Sequence, residues 1–84
     1  MIGLIGYGRF GRLTVQNLSA NFEIFVYTRS KDKKADIAEA GGRLVSLETA
    51  CAQKVVVLCI PISAMQETLK QIAPLLKPDA IVVD

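Results

Sequence analysis

Three glycines close to the amino terminus have the spacing of a phosphate-binding turn. The segment Gly6–Gly11 reads GYGRFG and matches the pattern G-x-G-x-x-G. In such a turn Gly6 permits the tight bend, Gly8 lets the backbone approach a diphosphate without a Cβ in the way, and Gly11 allows a helix to pack closely on a strand. Backbone amides at the start of that helix would face the diphosphate. The pattern predicts a dinucleotide site, the alternative being a plain turn between a strand and a helix.

The segment Thr28–Ser30 indicates which dinucleotide to expect. NAD-selective proteins with this glycine pattern carry Asp or Glu about 20 residues after the glycines, where the carboxylate accepts hydrogen bonds from the adenosine ribose. This chain has Thr-Arg-Ser there, and its nearest acid is Asp32. The guanidinium of Arg29 and the hydroxyls of Thr28 and Ser30 can bind a 2′-phosphate, which a carboxylate would repel. We therefore expect NADP as the cofactor, with NAD as the alternative, unless Arg29 is only a solvated strand end and Ser30 only a helix cap.

A third candidate segment, Cys59–Ile62, follows the most strand-like run of the chain, Val55–Ile60. Its proline fixes the direction in which the chain turns, and its isoleucines, together with Met65, could form an apolar wall for the cofactor. Core packing would explain these aliphatic side chains equally well. Arg9 and Phe10 are also open to two interpretations, cofactor contact or exposure to water. The candidate cofactor-binding residues are Gly6, Gly8, Arg9, Phe10, Gly11, Thr28, Arg29, Ser30, Cys59, Ile60, Pro61, Ile62 and Met65.

The composition excludes several kinds of catalysis. The chain has 84 residues, no histidine and two cysteines, Cys51 and Cys59. Neither a Ser-His-Asp nor a Cys-His nucleophile can therefore form within it. The cysteines are too isolated for a zinc site or a disulfide scaffold, and we expect them to fill the core. We predict no catalytic residue and no metal ligand in this chain.

Charge and hydropathy narrow the range of partners. Hydrophobic residues make up 51% of the chain, as in a globular core, and the net charge of +2 gives no sign of nucleic-acid binding. The amino terminus lacks the features of a secretory signal, and the apolar stretch Val55–Ile62 is much shorter than the about 20 residues that span a bilayer. We expect a cytoplasmic protein that binds neither nucleic acid nor membrane.

Apolar runs alternate with amphipathic runs, which predicts how the candidate residues are positioned. Unbroken apolar or β-branched runs predict strands. The predicted strands are Ile2–Ile5, Glu23–Thr28, Leu44–Val45, Val55–Ile60 and Ala80–Val83.

Helices are predicted between these strands from apolar residues that recur at helical spacing. The first begins at Gly8, can end at Asn21, and has one side formed by Gly11, Thr14, Val15, Leu18 and Phe22. The second is capped by Ser30 and stopped by Gly41 and Gly42. A short third helix covers Ser46–Cys51. The last has capping-box spacing at Ser63 and Gln66, an apolar face of Met65, Leu69, Ile72 and Leu76, and a break at Pro74.

Strands separated by helices of this length imply right-handed crossovers and a doubly wound parallel α/β sheet, Rossmann-like, in the order 3-2-1-4-5. We expect residues 1–84 to form one NAD(P)-binding domain. We also expect it to be truncated after its fifth strand, because Asp84 follows that strand at the edge where such sheets carry their ligands.

Four segments resemble the nucleotide-binding domain of the prephenate and arogenate dehydrogenases, and the resemblance extends over essentially the whole chain. Related domains of other β-hydroxyacid-type dehydrogenases and of imine reductases share these features. The segments are Ile2–Gly11, Thr28–Ser30, Val57–Ile62 and Ile81–Asp84.

The resemblance implies NADP- or NAD-dependent oxidative decarboxylation of prephenate or arogenate, on the route to tyrosine. In that family a hydride leaves the ring carbon that bears the hydroxyl, while loss of the carboxylate drives aromatisation. Asp84 matches the start of a family stretch that continues with a Ser and a Lys, and the catalytic His and the helical substrate and dimerisation domain come later.

We therefore expect a homodimeric full-length enzyme that acts on a small-molecule substrate, and no turnover from the 84-residue chain alone. The alternatives are a non-catalytic dinucleotide-binding module and another Rossmann enzyme, such as an imine or ketopantoate reductase.

Overall fold

The computed structural model describes residues 1–84 as one five-stranded sheet with helices between the strands. The strands are β1 (Ile2–Ile5), β2 (Ile24–Tyr27), β3 (Gly42–Leu44), β4 (Val55–Leu58) and β5 (Ile81–Val83). Their order across the sheet is β3-β2-β1-β4-β5, and every neighbouring pair is parallel. The predicted α/β fold and its strand order are confirmed.

Four α-helices connect the strands. They are α1 (Arg9–Leu18), α2 (Lys34–Ala40), α3 (Leu47–Cys51) and α4 (Ile62–Ile72). A turn of 3-10 helix precedes α2 at Lys31–Lys33, and another follows α4 at Ala73–Leu75. None of the helices combines the length and the apolar character that a membrane span requires.

The core lies on both faces of the sheet. Leu4 of β1 packs with Val15 of α1 and Ile37 of α2 on one face. The next residue, Ile5, belongs to the cluster on the other face, which contains Ile72 of α4. Because successive strand residues point to opposite faces, all four residues of β1 are buried. Complete burial of each large aliphatic side chain stabilises the fold by about 1.5–3 kcal/mol.

The first helix is shorter than its apolar pattern suggests. It ends at Leu18, so Phe22 does not extend its buried side and is 48% exposed. The chain must turn early because β2 starts at Ile24, which lies beside Ile2 of β1. The register of the sheet therefore limits the length of the helix.

The predicted capping box of the last helix is wrong. The helix α4 begins directly after Pro61, whose extended backbone (φ −61°, ψ 149°) occupies the N-cap position. Ser63 therefore lies inside the first turn, and no capping box with Gln66 forms. The α-helix ends at Ile72 and continues as the 3-10 turn that contains Pro74, in agreement with the predicted break.

The third strand starts two residues earlier than predicted, at Gly42. Gly41 ends α2 with φ +103°, a left-handed conformation that suits glycine, as predicted. Gly42 then pairs with Ile24 of β2, and a Cβ at Gly42 would lie 3.1 Å from side-chain atoms of Val15 and Val26. The missing side chain lets this strand lie close to the core. The start of the strand was not predicted, because a glycine does not belong to an aliphatic pattern.

Gly3 of β1 leaves no room for a side chain. A Cβ there would lie 1.9 Å from the carbonyl oxygen of Ala50 in α3. Because backbone cannot move aside easily, we expect Gly3→Ala to lower the free energy of unfolding by about 3 kcal/mol, measured by urea denaturation. Gly8→Ala is the matched control, since a Cβ at Gly8 meets no atom within 4 Å, and should cost less than about 1 kcal/mol. Equal losses in the two variants would contradict this packing argument.

Candidate functional site

The loops that follow β1, β2 and β4 meet at the carboxyl edge of the sheet. Ile5, the last residue of β1, lies beside both Tyr27 of β2 and Leu58 of β4. The helix α1 covers one face of the sheet, whereas α4 covers the other. The connections after β1 and β4 therefore diverge, and this divergence leaves the crevice in which doubly wound sheets bind ligands.

Two cavities lie at this edge and share four residues, Gly8, Cys59, Ile60 and Pro61. The first, of about 380 Å³, also borders Arg29 at the end of β2. The second has a volume of about 580 Å³. Of the other predicted residues, the first cavity is lined by Gly6 and Thr28, and the second by Arg9, Phe10, Gly11 and Ile62.

The three glycines of the turn lie in different surroundings, and each allows something that a larger residue would not. Gly6 has φ +97°, and a Cβ there would lie 2.3 Å from the carbonyl oxygen of Cys59. A Cβ at Gly11 would lie 2.8 Å from the carbonyl oxygen of Gly6, so this glycine allows α1 to pack against the turn. Gly8 differs from both, because it borders the two cavities and a Cβ there would meet nothing. The space beside Gly8 is therefore free for a ligand.

The loop after β2 presents exposed cations, Arg29 followed by Lys31 and Lys33. Arg29 is exposed and has no acidic partner, because the chain's one salt bridge joins Arg12 to Asp36. Thr28 is buried, and its hydroxyl accepts a hydrogen bond from the Ser30 amide at 3.4 Å. The Ser30 side chain precedes the 3-10 turn without making a capping hydrogen bond. The interpretation of Ser30 as a helix cap is therefore wrong, and its hydroxyl remains available.

The apolar candidates divide into exposed and packed residues. Phe10 is 80% exposed and Ile62 is 90% exposed, although both line the second cavity. Large apolar side chains so exposed beside a cavity suit contact with a flat apolar group. Met65 does not join them, because it packs against the core cluster on the α4 face and lines neither cavity.

A hydrogen-bonded cluster joins the glycine turn to the second helix. The Tyr7 hydroxyl donates to Oδ2 of Asp36 at 2.7 Å and lies 3.2 Å from the Asp36 carbonyl oxygen. A guanidinium nitrogen of Arg12 in α1 bonds to the other carboxylate oxygen. Tyr7 is buried, whereas the side chains of Arg12 and Asp36 are partly exposed. One carboxylate thus holds together the turn, α1 and α2.

The cluster shifts the pKa values of two of its members in opposite directions. Burial, and then the hydrogen bond to Asp36, raises the pKa of Tyr7 to about 12. The hydrogen bond from Tyr7 lowers the pKa of Asp36, and the positive charge of Arg12 acts in the same direction. Near neutral pH the phenol therefore keeps its proton and the carboxylate keeps its charge.

The cysteines offer no nucleophile. Burial raises the pKa of Cys51 and of Cys59, so both remain thiols. Cys51 is fully buried in the α4-face core, as expected for a residue that fills the core. Cys59 is half-buried between the two cavities, with its sulfur 4.0 Å from the Thr14 hydroxyl oxygen. The glycine turn, the exposed apolar side chains and Arg29 that line the crevice are suited to binding a ligand.

Sequence reasoning missed several residues of the site. Tyr7 lies inside the glycine segment, but the pattern G-x-G-x-x-G assigns no role to its side chain. Asp36 is 29 residues away from Tyr7, and no local pattern connects the two. Further residues from α3 and α4 line the first cavity because these helices pack beside β1 and β4, namely Leu47, Ala64, Thr68 and Gln71.

The fold and the glycine turn are those of a nucleotide-binding Rossmann domain. Residues 1–84 match the model of the family described as "NADP oxidoreductase coenzyme F420-dependent". Because the match spans the chain, the chain belongs to this family, and its membership confirms NADP as the cofactor. The match supports an NADP oxidoreductase domain in general, and it does not identify the chain as a prephenate or arogenate dehydrogenase in particular. No curated protein matches the chain.

The shifted pKa values predict how stability depends on pH. The folded state holds the Tyr7 proton more tightly than the unfolded state, because the pKa is raised. The contribution of this group to the free energy of unfolding is therefore complete below pH 10.0 and is lost as the pH rises through about 12. Asp36 behaves oppositely, because its pKa is lowered in the folded state. It contributes stability above pH 3.8, and this stability is lost as the pH falls through the pKa of Asp36 in the folded state. Urea denaturation across pH should show both losses in the wild type.

Two variants separate these effects. Tyr7→Phe should remove the part of the alkaline loss that belongs to this phenol, and Asp36→Asn should reduce the acid loss. Alkaline profiles of wild type and Tyr7→Phe that run parallel would contradict the assignment to Tyr7.

Proposed function

We propose that this chain is the NADP-binding part of an enzyme that oxidatively decarboxylates prephenate or arogenate. The single observation that carries the cofactor site is the position of Arg29, which borders the same cavity as the glycine turn and has no acidic partner. A free guanidinium beside a phosphate-binding turn suits the 2′-phosphate of NADP, because a charge-assisted hydrogen bond to phosphate is among the stronger polar interactions.

The start of α1 fits the diphosphate of the cofactor. Gly8 is the N-cap, and the first intrahelical bond runs from the Arg12 amide to the Gly8 carbonyl at 3.0 Å. The amides of residues 9–11 therefore have no helical carbonyl to bond and would donate to the diphosphate oxygens. A side chain at Gly8 would fill the space that this group needs.

The two cavities suit the two ends of the dinucleotide. Arg29, with the hydroxyl of Ser30, would hold the 2′-phosphate beside the first cavity. Phe10 and Ile62 would border the nicotinamide in the second cavity and exclude water from it. When bound, NADP supplies the acceptor for the substrate hydride. The residues of this chain bind and orient the cofactor, and none of them is assigned a proton transfer.

The choice of substrate depends on the resemblance of β1, the β2 end, β4 and β5 to prephenate and arogenate dehydrogenases. A second candidate follows from the family description, which names coenzyme F420. In that case the hydride would pass between NADP and this coenzyme.

We also propose that the catalytic His and the substrate domain lie outside residues 1–84, in a cytoplasmic enzyme that acts as a homodimer. The chain contains no histidine. All three residues of β5 are exposed although they are aliphatic, which suits a strand that further structure covers. The two cysteines are free, as in a reducing compartment.

A turnover assay tests the substrate proposal. The purified full-length enzyme is given NADP with prephenate, arogenate or reduced F420, and NADPH formation is followed by absorbance. We expect NADPH with prephenate or arogenate, together with release of carbon dioxide. NADPH with reduced F420 alone would overturn the dehydrogenase proposal in favour of the second candidate.

An Arg29→Asp variant tests the cofactor site. It replaces attraction to the 2′-phosphate with repulsion, so we expect the Kd for NADPH to rise about 100-fold and that for NADH to change by less than about threefold. Fluorescence titration measures both constants.

Arg43→Asp is the matched control, because Arg43 is exposed on β3 and lines neither cavity. This variant should leave both constants unchanged. An unaltered ratio of the NADPH and NADH constants in Arg29→Asp would sink the assignment of Arg29.

A further inference from the structure

We infer that Tyr7 and Asp36 are positioning residues that hold the 2′-phosphate loop, residues 28–33, against the glycine turn and thereby set the preference for NADP over NAD. The inference rests on the proposed NADP site at Arg29. It assigns a role in specificity to two residues that need not touch the cofactor.

The 2′-phosphate loop has few contacts of its own. Residues 29–33 are all exposed. Two hydrogen bonds lie within the loop, a long one of 3.4 Å from the Ser30 amide to the Thr28 hydroxyl and one of 3.2 Å from the Lys33 amide to the Ser30 carbonyl. The side chain of Ser30 caps nothing. The position of Arg29 therefore depends on what anchors the two ends of this loop, which are β2 and α2.

The end at β2 is fixed by the sheet, since Tyr27 is in register with Ile5. The end at α2 is fixed by Ile37, which is fully buried, and by the preceding residue, Asp36. A helix as short as α2, with seven residues, is not stable by itself and depends on such tertiary contacts. The Asp36 carboxylate is thus the polar anchor at the carboxyl-terminal end of the loop.

Tyr7 connects this anchor to the diphosphate side of the site. It stands between Gly6 and Gly8, and it packs with Ile37 in the same core cluster. Its hydroxyl reaches Asp36 at 2.7 Å. The glycine turn places the diphosphate and the loop places the 2′-phosphate, so the Tyr7–Asp36 hydrogen bond sets the distance between the two phosphate-binding elements.

Arg12 reinforces the same arrangement. Its guanidinium pairs with the second oxygen of Asp36 and draws α1 towards α2. This pairing also neutralises Arg12, so the cations that remain for a 2′-phosphate are those of the loop, and among them Arg29 borders the first cavity. The carboxylate therefore acts through geometry and through the choice of which arginine remains free.

The test compares Tyr7→Phe with a control at the other end of the same two helices. Tyr7→Phe keeps the packed ring and removes the hydroxyl alone. Ser19→Ala removes the hydrogen bond from Ser19 of α1 to the carbonyl of Ala40 in α2, 3.3 Å long and far from the loop. The measured quantities are the dissociation constants of NADPH and NADH in the purified full-length enzyme.

We expect Tyr7→Phe to raise the Kd for NADPH by about fivefold, as for one lost hydrogen bond, and to leave the Kd for NADH within about twofold. Ser19→Ala should change neither constant. In an Arg29→Ala background Tyr7→Phe should no longer alter the ratio of the two constants, because the residue through which it acts is gone. If Tyr7→Phe does not fold, the double variant Asp36→Ala/Arg12→Ala carries the same comparison, because it removes the acceptor of the Tyr7 hydrogen bond without freeing a cation.

The outcomes separate this inference from the function on which it rests. An equal loss of NADPH and NADH binding in Tyr7→Phe would show a merely structural role and overturn the inference. A wild-type ratio of the NADPH and NADH constants in Tyr7→Phe would also overturn the inference, provided that Arg29→Ala alone reduces the preference for NADPH. If Arg29→Ala leaves the preference intact, the proposed NADP site itself fails.

Discussion

The burial of β1 on both faces is the constraint on which the rest of the structure depends. Its residues pack against α1 and α2 on one side and against α3 and α4 on the other. The backbone N–H and C=O groups of a strand buried in this way need hydrogen-bond partners on both edges, and β2 and β4 supply them in register. Because the three strands are parallel, the loops that follow them all begin at the same edge of the sheet. The site is a consequence of how the central strand is buried.

The same arrangement separates two arginines that look alike in the sequence. Arg12 lies where α1 faces α2, so it meets Asp36 and forms an ion pair. Arg29 follows β2 at the open edge, where no carboxylate reaches it. A cation that is already neutralised contributes little to the binding of a phosphate, whereas a free one contributes much. The fold therefore decides which of the two guanidinium groups is paired with a carboxylate.

Much of the fold was predictable because its signals are local. The run Ile2–Ile5 favours a buried strand, and the glycines that follow favour a turn before a helix. Errors occurred where a tertiary requirement overrode a local pattern. The apolar spacing of α1 continues to Phe22, but the register of β2 ends the helix at Leu18. The spacing of Ser63 and Gln66 suggests a cap, but Pro61 starts the helix before it.

The sequence by itself determined the alternation of strands and helices, the glycine turn and the absence of an acid after β2, since each depends on residues near one another in the chain. The tertiary structure alone decided that Met65 packs in the core and that Thr28 turns its hydroxyl to a backbone amide. It also decided that Tyr7 meets Asp36. These contacts join residues through the packing of separate elements, and only the closed fold fixes the distances between them.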